Sequence, residues 1–331
     1  MTPGATAPSG PAAEPPVGVL LMTYGSAVTA DDVPAYLRSV YRGRDPDPEL
    51  VAEFQRRYRL VGRSPLVDIT EAQAAALQDL LDAEHGAGRY LVAVGMLHSR
   101  PWIRDGVARL AEAGVRRLVG IVLAPQYSPI IMGGYGRAVD AAAGALGTGA
   151  VVTVAGPWHD TPAFLDALAT RVREALDRLR AAGEDDVPVI LTAHSLPKSV
   201  VDRDTAYLDQ LAETVDAVVR RAGLDPGRAW FAYQSAGHTP EEWLKPDLKD
   251  LLPGIRAAGH RAVLVVPVQF LADHLEILYD IDVAAREEAE EAGLSFHRIE
   301  LPNTSLAFIR ALADVVRREE RAALPARPAA V

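Results

Sequence analysis

The chain has 331 residues, of which 49% are hydrophobic, so a large buried core and about two domains are expected. Its formal net charge is −10, with acidic residues spread along the chain and no basic stripe, which argues against nucleic acid or an anionic membrane surface as a partner. Because the sequence has no cysteine, disulfides, thiolate nucleophiles and cysteine-bound zinc or iron–sulfur clusters are excluded.

The first 16 residues, MTPGATAPSGPAAEPP, are rich in proline and alanine and lack the basic and apolar regions of a secretory signal. No apolar run approaches the roughly 20 residues that a membrane-spanning helix needs. We therefore expect residues 1–16 to be a disordered tail on a cytoplasmic protein without a membrane span.

Short apolar runs rich in strand-forming residues then recur along the chain, and stretches with helical spacing separate them. Runs without polar alternation are typical of parallel strands that are buried on both faces. The predicted strands are Val17–Met22, Tyr90–Met96, Leu118–Leu123, Ala150–Ala155, Val187–Ala193, Ala229–Tyr233, Ala262–Val268 and Ser295–Ile299. The predicted helices include Thr70–Glu84, Pro101–Ala113, Pro162–Ala182, Tyr207–Ala222 and Asp273–Ala292. This alternation predicts an α/β protein with open, doubly wound sheets.

The segment Gly156–Pro162, GPWHDTP, is a plausible crossing point between two halves of the chain. We predict two similar lobes, 17–157 and 158–303, each a four-stranded parallel sheet flanked by helices. The remaining segment, 304–331, is expected to contain a helix, Ser305–Arg321, that packs back over one lobe. In such folds ligands bind in the crevice outside the carboxyl ends of the strands.

Polar, aromatic and titratable side chains follow most of the predicted strands, which is the signature of a site at that edge. They include Tyr24, His98, Gln126, Tyr127, His194, Gln234, Gln269, Asp273, His274 and Glu276. His194 directly follows its strand, where an imidazole can transfer protons near neutral pH or bind a metal. A histidine that only caps a helix or braces a loop is the alternative.

The stretch LADHLEILYDIDVA places Asp273, Glu276 and Asp280 on one face of a regular helix. Such a row of carboxylates can accept protons or pass a hydrated divalent cation inward, whereas the alternative is an amphipathic helix with its acids in water. His274 and Glu276 are two residues apart and cannot face the same way on a regular helix. If both serve one site, the helix must be irregular.

For other residues the sequence leaves both a structural and a functional interpretation open. Tyr24 is either a core residue or a ligand at the crevice, and the region around Arg42 and Arg57 either binds carboxylates or is a solvated helix surface. The glycine-rich segment Gly133–Gly136 does not match a nucleotide-binding fingerprint, so no nucleotide cofactor is expected.

Taken together, the motifs resemble the ferrochelatase family from about Val19 to Arg310. The resemblance is carried by LLMTYGS, YRGRDPDPELVAEFQRRYRLVGRSPLVDITEAQAAAL, MLHSRPWIRDGV, VLAPQYS, TAHSLP, YQSAGHTPEEWLKPDLKDLL and VPVQFLADHLEILYDID. It implies two Rossmann-like lobes around a porphyrin cleft. It also implies that His194 takes pyrrole protons or receives iron, that Glu276 is its partner on the facing wall, and that Asp280 continues the acidic line of metal-binding residues. Ala284 stands where many members carry another acid.

The resemblance also assigns residues to the substrate. Tyr24 matches the tyrosine of forms that metallate coproporphyrin, where forms that use protoporphyrin tend to have an apolar residue. The residues expected to bind propionates or line the cleft are Arg42, Arg57, Tyr58, Ser64 and Tyr135. Two positions depart from the family pattern: Tyr41 replaces a frequent arginine, and Ser99 replaces a common aromatic residue.

The predicted function is therefore insertion of ferrous iron, as a substrate, into a porphyrin during haem biosynthesis, with coproporphyrin III favoured over protoporphyrin IX. No iron–sulfur cluster and no nucleic-acid partner are expected, and we expect a monomer. A porphyrin carrier without catalysis, a chelatase for another tetrapyrrole and a two-lobed small-molecule binding protein are the alternatives, because a fold alone does not fix a function.

Overall fold

The computed structural model describes residues 14–237 and 240–323. Residues 1–13 of the predicted tail and residues 324–331 of the predicted C-terminal segment lie outside this range. Within it, no helix combines the length and the apolar character that crossing a membrane requires.

Eight strands form two separate four-stranded parallel sheets, as the sequence predicts. The strands are β1 (Val17–Thr23), β2 (Tyr90–Met96), β3 (Arg117–Val122), β4 (Val151–Val154), β5 (Val189–His194), β6 (Ala229–Gln234), β7 (Ala262–Pro267) and β8 (Ser295–Arg298). The first sheet has the order β2-β1-β3-β4 and the second the order β6-β5-β7-β8. Both lobes therefore have the same topology, and the predicted fold class is confirmed.

Helices flank both sheets. They are α1 (Val33–Val40), α2 (Pro48–Val61), α3 (Leu66–His85), α4 (Ile103–Glu112), α5 (Pro129–Ala142), α6 (Pro162–Ala181), α7 (Lys198–Val201), α8 (Ala206–Ala222), α9 (Leu248–Ala257), α10 (Arg286–Glu291) and α11 (Leu306–Ala323). Helix α2 illustrates the local signals: Pro48 occupies its first turn, and the carboxylate of Asp47 accepts a hydrogen bond from the Glu49 amide at 2.9 Å.

One apolar core extends across both lobes. It includes Leu21 of β1, Leu191 of β5, Trp158 and Phe308, which are all fully buried. Helix α11 packs against α3 and β3 of the first lobe and against α6. The lobe boundaries near 157 and 303 stay a prediction.

The predicted regular helix Asp273–Ala292 is wrong in its first half. A π-helix covers Glu276–Ala285, and α10 continues from it. Asp273 precedes the π-helix, and its carboxylate binds Arg298 and Asn303 instead of sharing a face with Glu276 and Asp280. Extended π-helices are rare and are frequent at functional sites, and residue periodicity cannot distinguish them from α-helices.

Candidate active site

The two sheets place topologically equivalent positions, the ends of β1 and β5, at the candidate site. In each sheet the chain order reverses beside the first strand, β1 or β5, and the crevice at such a switch point is where ligands bind in open α/β sheets. Tyr24 follows β1 directly, and His194 is the last residue of β5. The site is therefore built from the carboxyl ends of β1 and β5, as the sequence suggests.

His194 presents one ring nitrogen to a carboxylate. Its Nδ1 lies 2.5 Å from the Ser195 carbonyl oxygen, which can only accept a hydrogen bond, so Nδ1 carries a proton. Its Nε2 lies 3.7 Å from Oε2 of Glu276, and the two side chains are 28% and 42% exposed. In the neutral imidazole, Nε2 is therefore an open base that faces the cleft.

His274 approaches the same carboxylate oxygen from the other side. Its Nδ1 donates to the Ala272 carbonyl at 2.9 Å, and its Nε2 lies 3.6 Å from Oε2 of Glu276. The sequence did not assign His274 a role, because its spacing from Glu276 is wrong for a regular helix. His274 precedes the helix, which begins at Leu275, so regular helical spacing does not separate its side chain from Glu276.

The charges of this cluster are set by mutual contacts. Burial acts to raise the pKa of Glu276, but His194 and His274 outweigh it and lower that pKa to about 2. Burial acts to lower the pKa of His274, and the adjacent Glu276 outweighs it and raises that pKa. Burial and the nearby Glu276 raise the pKa of Asp280. Neighbouring carboxyl groups whose pKa values are pushed apart are typical of sites that move protons.

The backbone of His194 is held from behind. Its amide donates to Oε1 of Gln269 at 2.9 Å, and its carbonyl accepts a hydrogen bond from the Tyr207 hydroxyl at 2.7 Å. The same hydroxyl lies 3.0 Å from Oε1 of Gln269. Phe270 packs between the imidazoles, with ring centroids 6.4 Å from His194 and 5.3 Å from His274. Sequence analysis missed Tyr207 as a site residue because its helical spacing resembles that of a core position.

Tyr24 forms the facing wall in the first lobe. Its ring packs on His98 with centroids 4.5 Å apart, and the Nδ1 of His98 lies 3.1 Å from the Ser39 hydroxyl. Burial, and after it the charge of Glu276, raises the pKa of Tyr24, so its phenol stays protonated at neutral pH. Burial also lowers the pKa of His98. Both groups are thus neutral on this wall.

Arg57 links the two walls. Its Nε donates to Glu53 at 2.8 Å, its Nη1 lies 3.4 Å from Asp280, and its guanidinium lies 4.8 Å from the centre of the Tyr279 ring. Helix α2 of one lobe thereby contacts the π-helix of the other. Arg42, by contrast, is exposed at the end of α1 in a left-handed backbone conformation, with φ of 56°.

Three of the residues expected to contact the substrate are buried. Tyr58, Ser64 and Tyr135 are 1%, 2% and 3% exposed. The Tyr58 hydroxyl donates to the Ala27 carbonyl at 2.9 Å and lies 2.8 Å from the Ser26 hydroxyl. Burial raises the pKa of Tyr135. Roles of these residues at a porphyrin stay predictions, as does metal binding by His194, Glu276 and Asp280.

The described ranges contain no group of three or more histidine or acidic side chains arranged to hold a metal ion. What the cluster offers is a pair of partly exposed imidazoles beside one carboxylate. Such an arrangement can remove protons from a ligand and attract a cation.

The chain matches a known protein family over most of its length. The family model described as Ferrochelatase matches residues 16–320. The coproporphyrin III ferrochelatase of Geobacillus thermodenitrificans is 37% identical over 302 residues, which cover 91% of this chain and 95% of that protein. The ferrochelatase of Herpetosiphon aurantiacus is 40% identical over 299 residues, covering 90% and 97%.

A solved structure also shares the fold. The sirohydrochlorin chelatase SirB from Bacillus subtilis subspecies spizizenii, in complex with cobalt, superposes with a TM-score of 0.54 at 12% identity. The match covers 93% of this chain and 97% of that one. At this identity the likeness concerns the fold alone.

Proposed function

Because the chain belongs to the ferrochelatase family, we propose that it inserts ferrous iron into coproporphyrin III during haem biosynthesis, a lyase reaction that forms metal–nitrogen bonds. The observation that supports this most is the placement of His194, whose Nε2 faces the Glu276 carboxylate at 3.7 Å while its Nδ1 is held by the Ser195 carbonyl. The site is built from one chain, and we take the protein to act as a cytoplasmic monomer.

Metallation releases two pyrrole N–H protons for each Fe²⁺ that enters. The two protons carry away as much charge as the metal ion brings, so the net charge of the porphyrin is unchanged. His194 accepts a proton at Nε2, which turns its contact with Glu276 into an ion pair. The second proton passes either to Glu276, with His274 as its neighbour, or again to His194 after the first has been passed to water. In the latter case Glu276 stays a carboxylate, as its lowered pKa favours, and steers the cation. A positioned base of this kind accelerates proton transfer by about 10²–10⁴.

The walls supply the rest of the catalysis. A cleft that fits a bent macrocycle better than a flat one favours the state in which a pyrrole nitrogen exposes its lone pair. Tyr24 faces the ring from the first lobe. A propionate that binds Arg57 competes with Glu53 and Asp280 for its guanidinium, and Arg42 offers an exposed cation at the rim.

The preference for coproporphyrin III, which has four propionates where protoporphyrin IX has two, is supported by Tyr24 and by the named relatives from Geobacillus and Bacillus subtilis. Protoporphyrin IX is the second candidate, because the relative from Herpetosiphon is named only as a ferrochelatase. A carrier without catalysis is disfavoured by the intact cluster of His194, His274 and Glu276.

The deciding experiment is anaerobic Fe²⁺ insertion measured side by side with coproporphyrin III and protoporphyrin IX. Under one set of conditions, we expect the protein to turn over coproporphyrin III with a clear preference over protoporphyrin IX. Preference for protoporphyrin IX would reject the substrate assignment. Tight porphyrin binding without consumption of iron would reject the reaction and favour the carrier.

His194→Ala is the matched variant for that assay. We expect its rate to fall by about 10²–10⁴, because a positioned base is removed. Porphyrin binding, measured by quenching of protein fluorescence, should be retained, since the imidazole is not part of the propionate contacts. Unchanged turnover in this variant would contradict the assignment of His194.

A further inference from the structure

Asn303 is the only asparagine in the sequence. It lies between β8 and α11, half-buried, with φ of 42°. Asparagine tolerates this left-handed conformation better than most residues, and its amide can both donate and accept hydrogen bonds. The position therefore requires properties that few other residues combine.

All four polar groups of Asn303 have partners. Its backbone N–H donates to the Leu271 carbonyl at 2.9 Å. Its Oδ1 accepts from the backbone N–H of Asp273 at 3.0 Å, and its Nδ2 donates to Oδ2 of Asp273 at 2.8 Å. Its carbonyl accepts from Nε2 of Gln73 at 2.9 Å. Three of the four bonds thus hold 271–273, and the fourth reaches α3 in the other lobe, where Gln73 is fully buried.

Arg298 adds a second tie to the same segment. Its Nε and Nη2 donate to the two carboxylate oxygens of Asp282 at 2.7 and 2.8 Å, and Nη2 also lies 3.2 Å from Oδ1 of Asp273. Asp273 precedes the π-helix and Asp282 lies within it. The guanidinium therefore connects the turn to the helix on either side of His274 and Glu276.

We propose, on the basis of the function proposed above, that Asn303 and Arg298 are positioning residues that set where His274 and Glu276 stand relative to His194. Neither side chain touches the cluster. Both act on the turn 271–273, which leads directly into His274, and Gln73 ties Asn303 to the first lobe through the Asn303 carbonyl. The distances from Oε2 of Glu276 to Nε2 of His274, 3.6 Å, and to Nε2 of His194, 3.7 Å, depend on this turn.

The chain offers variants that separate conformation from side-chain bonding. Asn303→Gly keeps a residue that accepts positive φ and removes both side-chain bonds to Asp273. Arg298→Lys keeps the charge and removes the two-pronged contact with Asp282. Arg171→Lys is the control, because Arg171 lines one pocket together with Asp273, Asp282 and Arg298 but, among the described residues, pairs with Glu174 and Glu300, at 3.1 and 3.3 Å.

The test measures anaerobic kcat and KM for coproporphyrin III in the full-length protein, together with amide hydrogen exchange. Misplaced catalytic groups typically cost about 10- to 100-fold in rate. We expect kcat of Asn303→Gly and Arg298→Lys to fall by that factor with KM unchanged, and exchange to become faster over 271–277. Arg171→Lys should match the wild type in each measurement.

Two failures can be told apart. If the wild type does not insert iron, the proposed function is rejected, whatever the variants do. If the wild type is active and both variants keep its kcat while only their unfolding midpoints fall, the residues are structural and the positioning role is rejected. Faster exchange over 271–277 without any loss of kcat would reject it as well.

Discussion

At the scale of single residues, Tyr58 shows how a side chain beside a cleft can serve the fold. Its ring is 1% exposed, and its hydroxyl, the Ser26 hydroxyl and the Ala27 carbonyl form one hydrogen-bonded group. Burial, opposed in part by the Ser26 hydrogen bond, raises the pKa of Tyr58 to about 12. The protonated phenol is therefore favoured by folding.

We predict that Tyr58→Phe lowers the free energy of unfolding by about 1 kcal/mol at pH 8, because a buried hydrogen bond is lost. The unfolded tyrosine ionises near pH 10, and the folded one near 12. Tyr58 therefore contributes its full stability below pH 10 and loses it as the pH rises toward 12, a loss that the phenylalanine variant cannot have. The difference between the proteins should shrink toward zero near pH 11.

Urea unfolding of both proteins from pH 8 to 11 measures this difference. The other buried tyrosines titrate in both proteins and cancel in the comparison, including Tyr90, whose pKa burial also raises to about 12. A difference that stays constant over this range would mean that the folded-state pKa of Tyr58 is unshifted.

At the scale of elements, apolar runs located the strands well because a strand that is buried on both faces needs no polar alternation. Tyr90–Met96 has the predicted bounds, whereas β5 begins at Val189, two residues later than predicted. Pro188, just before it, has no N–H to give to the ladder. Sequence patterns thus specify which elements exist better than where they end.

The site could be predicted less well than the strands, because it depends on contacts between segments that are distant in the sequence. His194 could be found from its place at a strand end, but the approach of His274 to Glu276 depends on where the helix begins, at Leu275, which periodicity does not locate. Asp273 carries the same charge as Glu276, yet Arg298 and Asn303, far along the chain, turn it away from the cleft. These two acids differ in their place relative to the helix and in their tertiary contacts, neither of which residue spacing shows.

Helix α11 offers a test of how one element supports both lobes. Phe308 is fully buried and lies 6.4 Å from the Trp158 ring, whereas Leu306 on the same helix is 56% exposed. We predict that Phe308→Ala costs about 3–5 kcal/mol of unfolding free energy, because it leaves a cavity in the shared core. Leu306→Ala, measured by the same urea titration, should stay within about 0.5 kcal/mol of the wild type. Similar costs for both would contradict the packing of this helix.

At the scale of the molecule, the two lobes repeat one topology and share one buried cluster in addition to the cluster that each has of its own. Leu21 of β1, Leu191 of β5 and Leu264 of β7 belong to one buried cluster that Trp158 and Phe308 complete. On the cleft side, Arg57 of the first lobe lies 3.4 Å from Asp280 of the second. Apolar burial therefore couples the lobes at the back, and polar contacts couple them at the site.

We predict from this shared core that the lobes unfold together, although chains of this length often populate intermediates. Unfolding one lobe alone would expose the apolar surface that the other buries against it, and each buried side chain contributes roughly 1.5–3 kcal/mol. Tryptophan fluorescence, which includes the fully buried Trp158, and far-UV circular dichroism should give one coincident transition in urea. Phe308→Ala should shift both probes by the same amount. Two separate transitions, or a shift confined to one probe, would show that the lobes are energetically independent and that the Arg57–Asp280 distance is free to vary with their relative motion.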